Sequence, residues 1–174
     1  MSAGPYSLWT IAAASYLQAG RIVATITANR TDLGIRSVPL LRSGLPSRGD
    51  YLRIAYDYPG PASQARMLRT PAGNASGTVS NERDELGEGE VSAIVQLDRP
   101  GIVALSASYD PGWRVTVDDH AQPTEMVAPA LIATNVPAGT HRISFRYTGY
   151  GSYPWLFAFA AIALLVIGTG DRRR

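Results

Sequence analysis

The sequence holds two imidazoles, His120 and His141, and neither has a partner at metal-ligand spacing. Cysteine is absent, which removes a disulfide scaffold, a thiolate nucleophile, a Cys zinc site and an iron–sulfur cluster. Asp118 and Asp119 could approach calcium, but adjacent carboxylates between strands read first as turn formers. Asp84, Glu85, Glu88 and Glu90 read as a solvated acidic loop. No Gly-rich phosphate loop and no nucleophile elbow occurs. The expectation is no catalytic residue, no metal and no cofactor. What remains is recognition. Tyr109 and Trp113 could stack on a sugar ring with Arg114 beside them, and these three are the candidate ligand-binding residues. The competing reading puts Trp113 in a core between two sheets. An exposed ring in a groove favours the first reading, a buried ring the second.

Such residues need a scaffold, and the turns define it. Pro111 presets φ and Gly112 frees it, so Asp110-Pro111-Gly112 is a turn with Trp113 anchored beneath it. Pro137-Ala138-Gly139 closes the last hairpin, so Pro137 and Gly139 complete the structural turn motif. A hairpin at Asp118-Asp119 wants φ > 0, which Asp tolerates less well than Gly, so that turn is expected to be longer or slightly strained. Between the turns lie short alternating segments: Tyr51 to Tyr58, Ala65 to Thr70, Glu90 to Leu97, Ile102 to Tyr109, Trp113 to Val117, Ala130 to Val136 and Thr140 to Tyr147. In the last of these, Ile143, Phe145 and Tyr147 face inward while Arg142, Ser144 and Arg146 face out. Strands at this spacing predict a mainly β protein, an antiparallel β-sandwich of jelly-roll type over residues 51–148.

Residues 1–50 form the expected lead-in. Ser7 to Gly20 carries a modest helical stripe that Gly20 stops, and Arg21 to Thr27 is β-branched and alternating. Pro39 limits Leu33 to Leu41 to an edge strand or loop. Ser43 to Asp50 is a loop by composition. It contains an Arg48-Gly49-Asp50 triplet, an integrin signature that short sequences also produce by chance.

The net charge of +2 belongs to the C-terminal tail, because residues 1–170 hold 13 Arg and 13 acidic residues. All 16 basic residues are Arg, which fits a GC-rich genome. No cationic face for nucleic acid is implied. From Tyr147 to Gly170 no charged residue occurs. This segment predicts one C-terminal transmembrane helix over residues 149–170. Tyr153 and Trp155 stand at one interface, and Arg172, Arg173 and Arg174 form a cytoplasmic tail over residues 171–174. The body would then be extracytoplasmic. Met1 to Gly20 lacks a basic n-region and a long apolar run. The expectation is therefore a C-terminal piece of a larger polytopic protein whose upstream helices set the topology.

Tyr109-Asp110-Pro111-Gly112-Trp113, the Val117-Asp118 hairpin, Val136-Pro137-Ala138-Gly139-Thr140-His141 and Phe145-Arg146-Tyr147 occur in this order before the apolar helix. This constellation resembles the C-terminal extracytoplasmic domain and last membrane helix of the YfhO-like bacterial membrane proteins, which look like C-type, lipid-phosphosugar-dependent glycosyltransferases. The likeness is good over residues 90–170 and faint at Leu33-Gly34-Ile35-Arg36. Asp118-Asp119 departs from the family's Asp-Gly. The resemblance implies a non-catalytic domain, because the family's acidic catalytic loop lies early in the protein and is not in this sequence. The expected role is in cell-envelope glycosylation, with the lipid bilayer, an envelope glycan or lipid-linked sugar, and a polytopic membrane core as partners. The alternative is a membrane-anchored carbohydrate-binding module using exposed aromatics.

Overall fold

The structure, a computed structural model, describes residues 15–29, 31–56, 66–67, 77–149 and 153–171. The chain is mainly β, with eleven strands and two α-helices among these residues. The first sheet contains β1 (Leu17–Ala28), β2 (Asp50–Tyr56), β3 (Arg66–Met67), β6 (Gly101–Ser108), β9 (Thr124–Val127) and β10 (Leu131–Val136) in the order β2-β9-β10-β6-β1-β3. The second contains β4 (Gly77–Glu85), β5 (Glu90–Leu97), β7 (Trp113–Val117), β8 (His120–Gln122) and β11 (Gly139–Tyr147) in the order β4-β5-β11-β7-β8.

β1 pairs with three strands along its length, with β3 beside Ala24 and Thr25. Leu17 to Gly20 pair antiparallel with Leu105 to Ile102 of β6. Arg21 to Ala28 pair in parallel with Asp50 to Tyr56 of β2. Because β2 also meets β9 at Arg53↔Val127, the run β2-β9-β10-β6-β1 closes on itself. The other strand pairings are antiparallel, as expected; the single parallel pair β1–β2, through which the sheet closes, is the departure. It also makes the lead-in part of the body: β1 is a strand of the first sheet, so the expected boundary at residue 51 cuts through that sheet.

A parallel pair needs a crossover connection, and α1 (Leu33–Arg42) supplies it. The edge strand or loop expected at Leu33 to Leu41 is therefore a helix. Its signal is the spacing of Leu33, Ser37 and Leu40. Ser37 and Leu40 are buried, and Leu33 packs with Leu40 against Ile26, Ala28, Ile54 and Ala128. Asp32 starts the helix by accepting the Asn29 N–H and pairing with Arg36 one turn on. Pro39 faces solvent inside the helix, where its cost is one missing hydrogen bond at the exposed side.

The expected N-terminal helix of Ser7 to Gly20 is corrected where it can be seen: Leu17 to Gly20 are strand, and the segment through Ala14 lies outside the described residues. Gly20 is a close-approach residue and not a helix stop. A Cβ there would stand 2.6 Å from the Gly49 carbonyl oxygen and 2.8 Å from the Tyr51 ring. Asp50 is 3% exposed and accepts from Arg21 Nε at 2.7 Å. The Arg48-Gly49-Asp50 triplet thus has its carboxylate buried in an ion pair and does not present an integrin-type loop.

The two sheets share one apolar cluster. Phe145, Ile143, Val115, Val117, Val91 and Val95 enter it from the second sheet, and Leu17, Val103, Leu105, Ile132 and Val136 from the first. The alternation read in β11 holds at its centre, where Ile143 and Phe145 are fully buried and Arg142 and Arg146 exposed, but Tyr147, expected to face inward, is 39% exposed. A polar tie adds to the packing. A bulge in β4 between Ser80 and Arg83, with Asn81 at φ 51°, turns Glu82 toward the start of β1. There its carboxylate accepts the Tyr16 N–H at 2.8 Å, the Leu17 N–H and the Ser15 hydroxyl.

The chain continues from β11 into α2 (Tyr153–Asp171), a helix of 19 residues. At 1.5 Å per residue it is about 28 Å long. Among the described residues no helix is long and apolar enough to cross a membrane. The α2 side chains beyond Leu164, and Arg172 to Arg174, lie outside the described residues, so the predicted crossing and its basic anchor are not seen in the fold itself.

Candidate functional site

The 108–113 turn is built as its residue types require. The Asp110 carboxylate accepts the Gly112 N–H at 2.7 Å, an Asx turn, and the Asp110 carbonyl accepts from Trp113 N. Gly112 is buried, and a Cβ on it would lie 2.8 Å from the Tyr147 ring and 3.0 Å from the Gly149 carbonyl oxygen. The Gly112 carbonyl accepts both the N–H and the hydroxyl of Thr148 at 2.9 Å. The turn therefore fastens the chain on its way from β11 to α2. Pro137 and Gly139 sit at the exposed β10–β11 hairpin, where Gly139 takes φ 128°.

The candidate ligand-binding trio does not converge. Trp113 and Tyr109 are half-buried and pack against the shared core. The Trp113 indole donates to the Ser108 carbonyl at 3.2 Å, and its ring meets Tyr147 at 5.3 Å between centroids. Strand alternation sends Arg114 to the opposite face of the sheet, so no open aromatic platform with an adjacent cation forms there.

That opposite face holds a polar groove. It encloses about 510 Å³ on the outer side of the second sheet, and β4, β5, β11, β7 and the β7–β8 turn all contribute to it. Register sets its rows. Ser144 stands between Ser92 and Thr116, and Arg146 between Glu90 and Arg114. Arg83 lies opposite Ser92 and Glu85 opposite Glu90. Arg142 and Asp119 also line the groove. Arg114 is held in place, because one terminal nitrogen donates to the carbonyls of Pro111 and Trp113 at 2.8 and 2.9 Å. Glu90 is turned toward Ser144, whose hydroxyl donates to it at 3.0 Å.

The sequence showed part of this site. The outward alternation of Arg142, Ser144 and Arg146 was legible, but its continuation onto β4 was not. β4 buries almost nothing and so has no apolar period, which made its Asp84 and Glu85 look like loop residues.

Beside the groove, Asp118 and Asp119 fill a two-residue hairpin turn between Val117 and His120, with φ 50° and 64°. Both torsions are positive, as a type I′ turn requires. The turn is short, and Asp occupies both positions. Asp118 Oδ2 meets His141 Nδ1 at 2.7 Å, and Oδ1 accepts the Arg142 N–H at 2.9 Å. The hydrogen bond from Asp118 raises the His141 pKa above its ordinary 6.5, against a smaller effect of burial. The same bond, helped by the Arg142 N–H, holds Asp118 below 3.8. His120 turns back onto the Asp118 carbonyl. No group of three or more metal-ligating side chains occurs among the described residues.

From Tyr153 to Leu164 the side chains of α2 are exposed. Tyr153, Trp155, Phe157, Phe159 and Leu164 are all more than half exposed. The family comparison spans this junction: residues 79–158 match the family described as bacterial membrane protein YfhO. Over that stretch the chain is YfhO-like. The YfhO-like segment includes β4 from Val79 onward, β5, the complete groove and the first turn of α2. No curated protein and no solved structure matches the chain.

Proposed function

We propose that this chain is a non-catalytic, extracytoplasmic domain of a YfhO-like membrane protein. It acts in cell-envelope glycosylation, and its polar groove is the surface that meets the glycan. In this reading the two sheets form a sandwich standing on the outer leaflet. α2 spans the bilayer, with Tyr153 and Trp155 at the outer interface and Arg172 to Arg174 inside the cell. A polytopic membrane core, preceding this chain in a longer protein, would hold the transferase chemistry.

The observation that supports this most is the junction itself. The family match runs from the second sheet into a helix whose apolar side chains stand free from Tyr153 to Leu164. A helix apolar on all sides is stable when lipid or protein covers it. The alternative of a carbohydrate-binding module working through exposed aromatics loses its main support, because Trp113 and Tyr109 pack on the core.

The absence of cysteine allows a direct test of orientation. Thr140→Cys, on the exposed end of β11, should react with a membrane-impermeant maleimide in intact cells. Arg174→Cys should react only after lysis. The opposite pattern would overturn the orientation. Removal of the gene should also lower the sugar content of the envelope; unchanged sugar content would count against the glycosylation role.

A further inference from the structure

We infer that the groove on the second sheet takes an acidic saccharide, a polyhydroxylated ring that carries one carboxylate or phosphate. The inference rests on the glycan role proposed above and adds the ligand's charge. Four arginines line the groove, Arg83, Arg114, Arg142 and Arg146. Among the described residues Arg83, Arg142 and Arg146 make no ion pair. Arg114 and Arg146 are direct cross-strand partners. Like charges in that relation destabilise a sheet. The carboxylate placed to relieve them is Glu90, opposite Arg146, but it accepts from the Ser144 hydroxyl instead. A fold that keeps two guanidinium groups side by side, with neither in an ion pair among the described residues, is suited to an anion arriving from outside. Guanidinium groups bind carboxylate and phosphate oxygens through paired N–H donors, and Arg114 is already oriented by two backbone carbonyls.

The rest of the lining sets the ligand class. Glu85, Glu90 and Asp119 offset three of the four positive charges. A nearly balanced groove repels a dense polyanion and suits one charge per bound unit. Carboxylates accept hydrogen bonds from hydroxyl groups, and the hydroxyls of Ser92, Thr116 and Ser144, aligned across three strands, both donate and accept. Such a surface matches a ring with many hydroxyls and a single oxyanion.

The test uses the full chain in detergent micelles and isothermal titration with three probes: tetragalacturonate, the neutral maltotetraose and inorganic phosphate. Tetragalacturonate should bind at least tenfold more tightly than either of the others. Arg142→Gln and Arg146→Gln should each weaken it by about tenfold. Circular dichroism and thermal melts of the two variants confirm that the fold is kept. Should a variant fail to fold, weakening of tetragalacturonate binding to the wild-type chain by added salt, with no effect on maltotetraose, makes the same distinction. Equal binding of maltotetraose would overturn the acidic class while leaving a glycan role in place. Phosphate binding as tight as tetragalacturonate would overturn the saccharide. No binding by any probe would overturn the site, with the envelope sugar analysis still deciding the glycan role separately.

Discussion

Asp118 and His141 are joined at 2.7 Å across 23 residues of sequence, and the bond ties the β7–β8 turn to the central strand β11. The same Asp118 caps the Arg142 N–H. One carboxylate thus fixes a tight turn whose second residue, Asp119, lines the groove, together with the strand segment that carries Arg142.

This pair gives stability a defined pH dependence. His141 has its pKa raised from 6.5, so its contribution is complete below 6.5 and is lost as pH climbs through the higher folded value. Asp118 has its pKa lowered from 3.8, so its contribution is present above 3.8 and is lost as pH falls through the lower folded value. The bond is therefore at full strength between about pH 4 and 6.5. In urea titrations the unfolding midpoint should fall as pH is raised above 6.5, and His141→Gln should reduce that fall. An undiminished fall in His141→Gln would place its origin elsewhere.

The turn also predicts a gain. Asp119 holds φ 64° with a side chain that disfavours it. Asp119→Gly should stabilise the folded chain by roughly 0.5–1 kcal/mol, because glycine reaches positive φ without the steric cost. Thermal denaturation with an unchanged or lower midpoint would contradict the strain.

Trp113 separates the structural from the sugar-stacking reading. Trp113→Ala should cost about 2–3 kcal/mol of stability through lost packing against the core and Tyr147. Saccharide affinity of the fraction that remains folded should stay within about twofold of wild type. A large loss of affinity with little loss of stability would restore the aromatic platform.

The closure of the first sheet rests on a buried charge. Asp50 accepts from Arg21 at the first register pair of β1 and β2. Asp50→Ala should destabilise the chain by about 3 kcal/mol, since it removes the buried carboxylate that pairs with both Arg21 and Arg48. A double variant, Arg21→Met with Asp50→Leu, should recover much of that loss. If the single variant melts like wild type, the pair is not what sets this register.

The sequence was informative where burial imposes a period. Trp113, Val115 and Val117, and Ile143 with Phe145, alternate because one face of each strand meets the core. The Pro-Gly turns mark strand ends because their backbone torsions are restricted. β1 was legible from Arg21 to Thr27 but not from Leu17 to Gly20, since Gly20 looked like a helix stop and in fact admits the Gly49 carbonyl. α1 was missed because Pro39 outweighed a three-residue stripe, while the parallel β1–β2 pairing that demands a crossover depends on residues 28 or 29 positions apart. β4 was missed because an edge strand with exposed polar side chains has no pattern of its own. The groove was missed with it, because four strands place its residues side by side and no short motif contains them.

The whole reading depends on α2 being covered by lipid, and alkaline carbonate extraction tests this most directly. Membranes from cells expressing the full chain are washed at high pH, which strips peripheral proteins and leaves embedded ones. The chain should remain in the pellet after washing and leave it only with detergent. Release into the carbonate supernatant as a folded, monodisperse protein would contradict the membrane tether, and with it the outward placement of the groove.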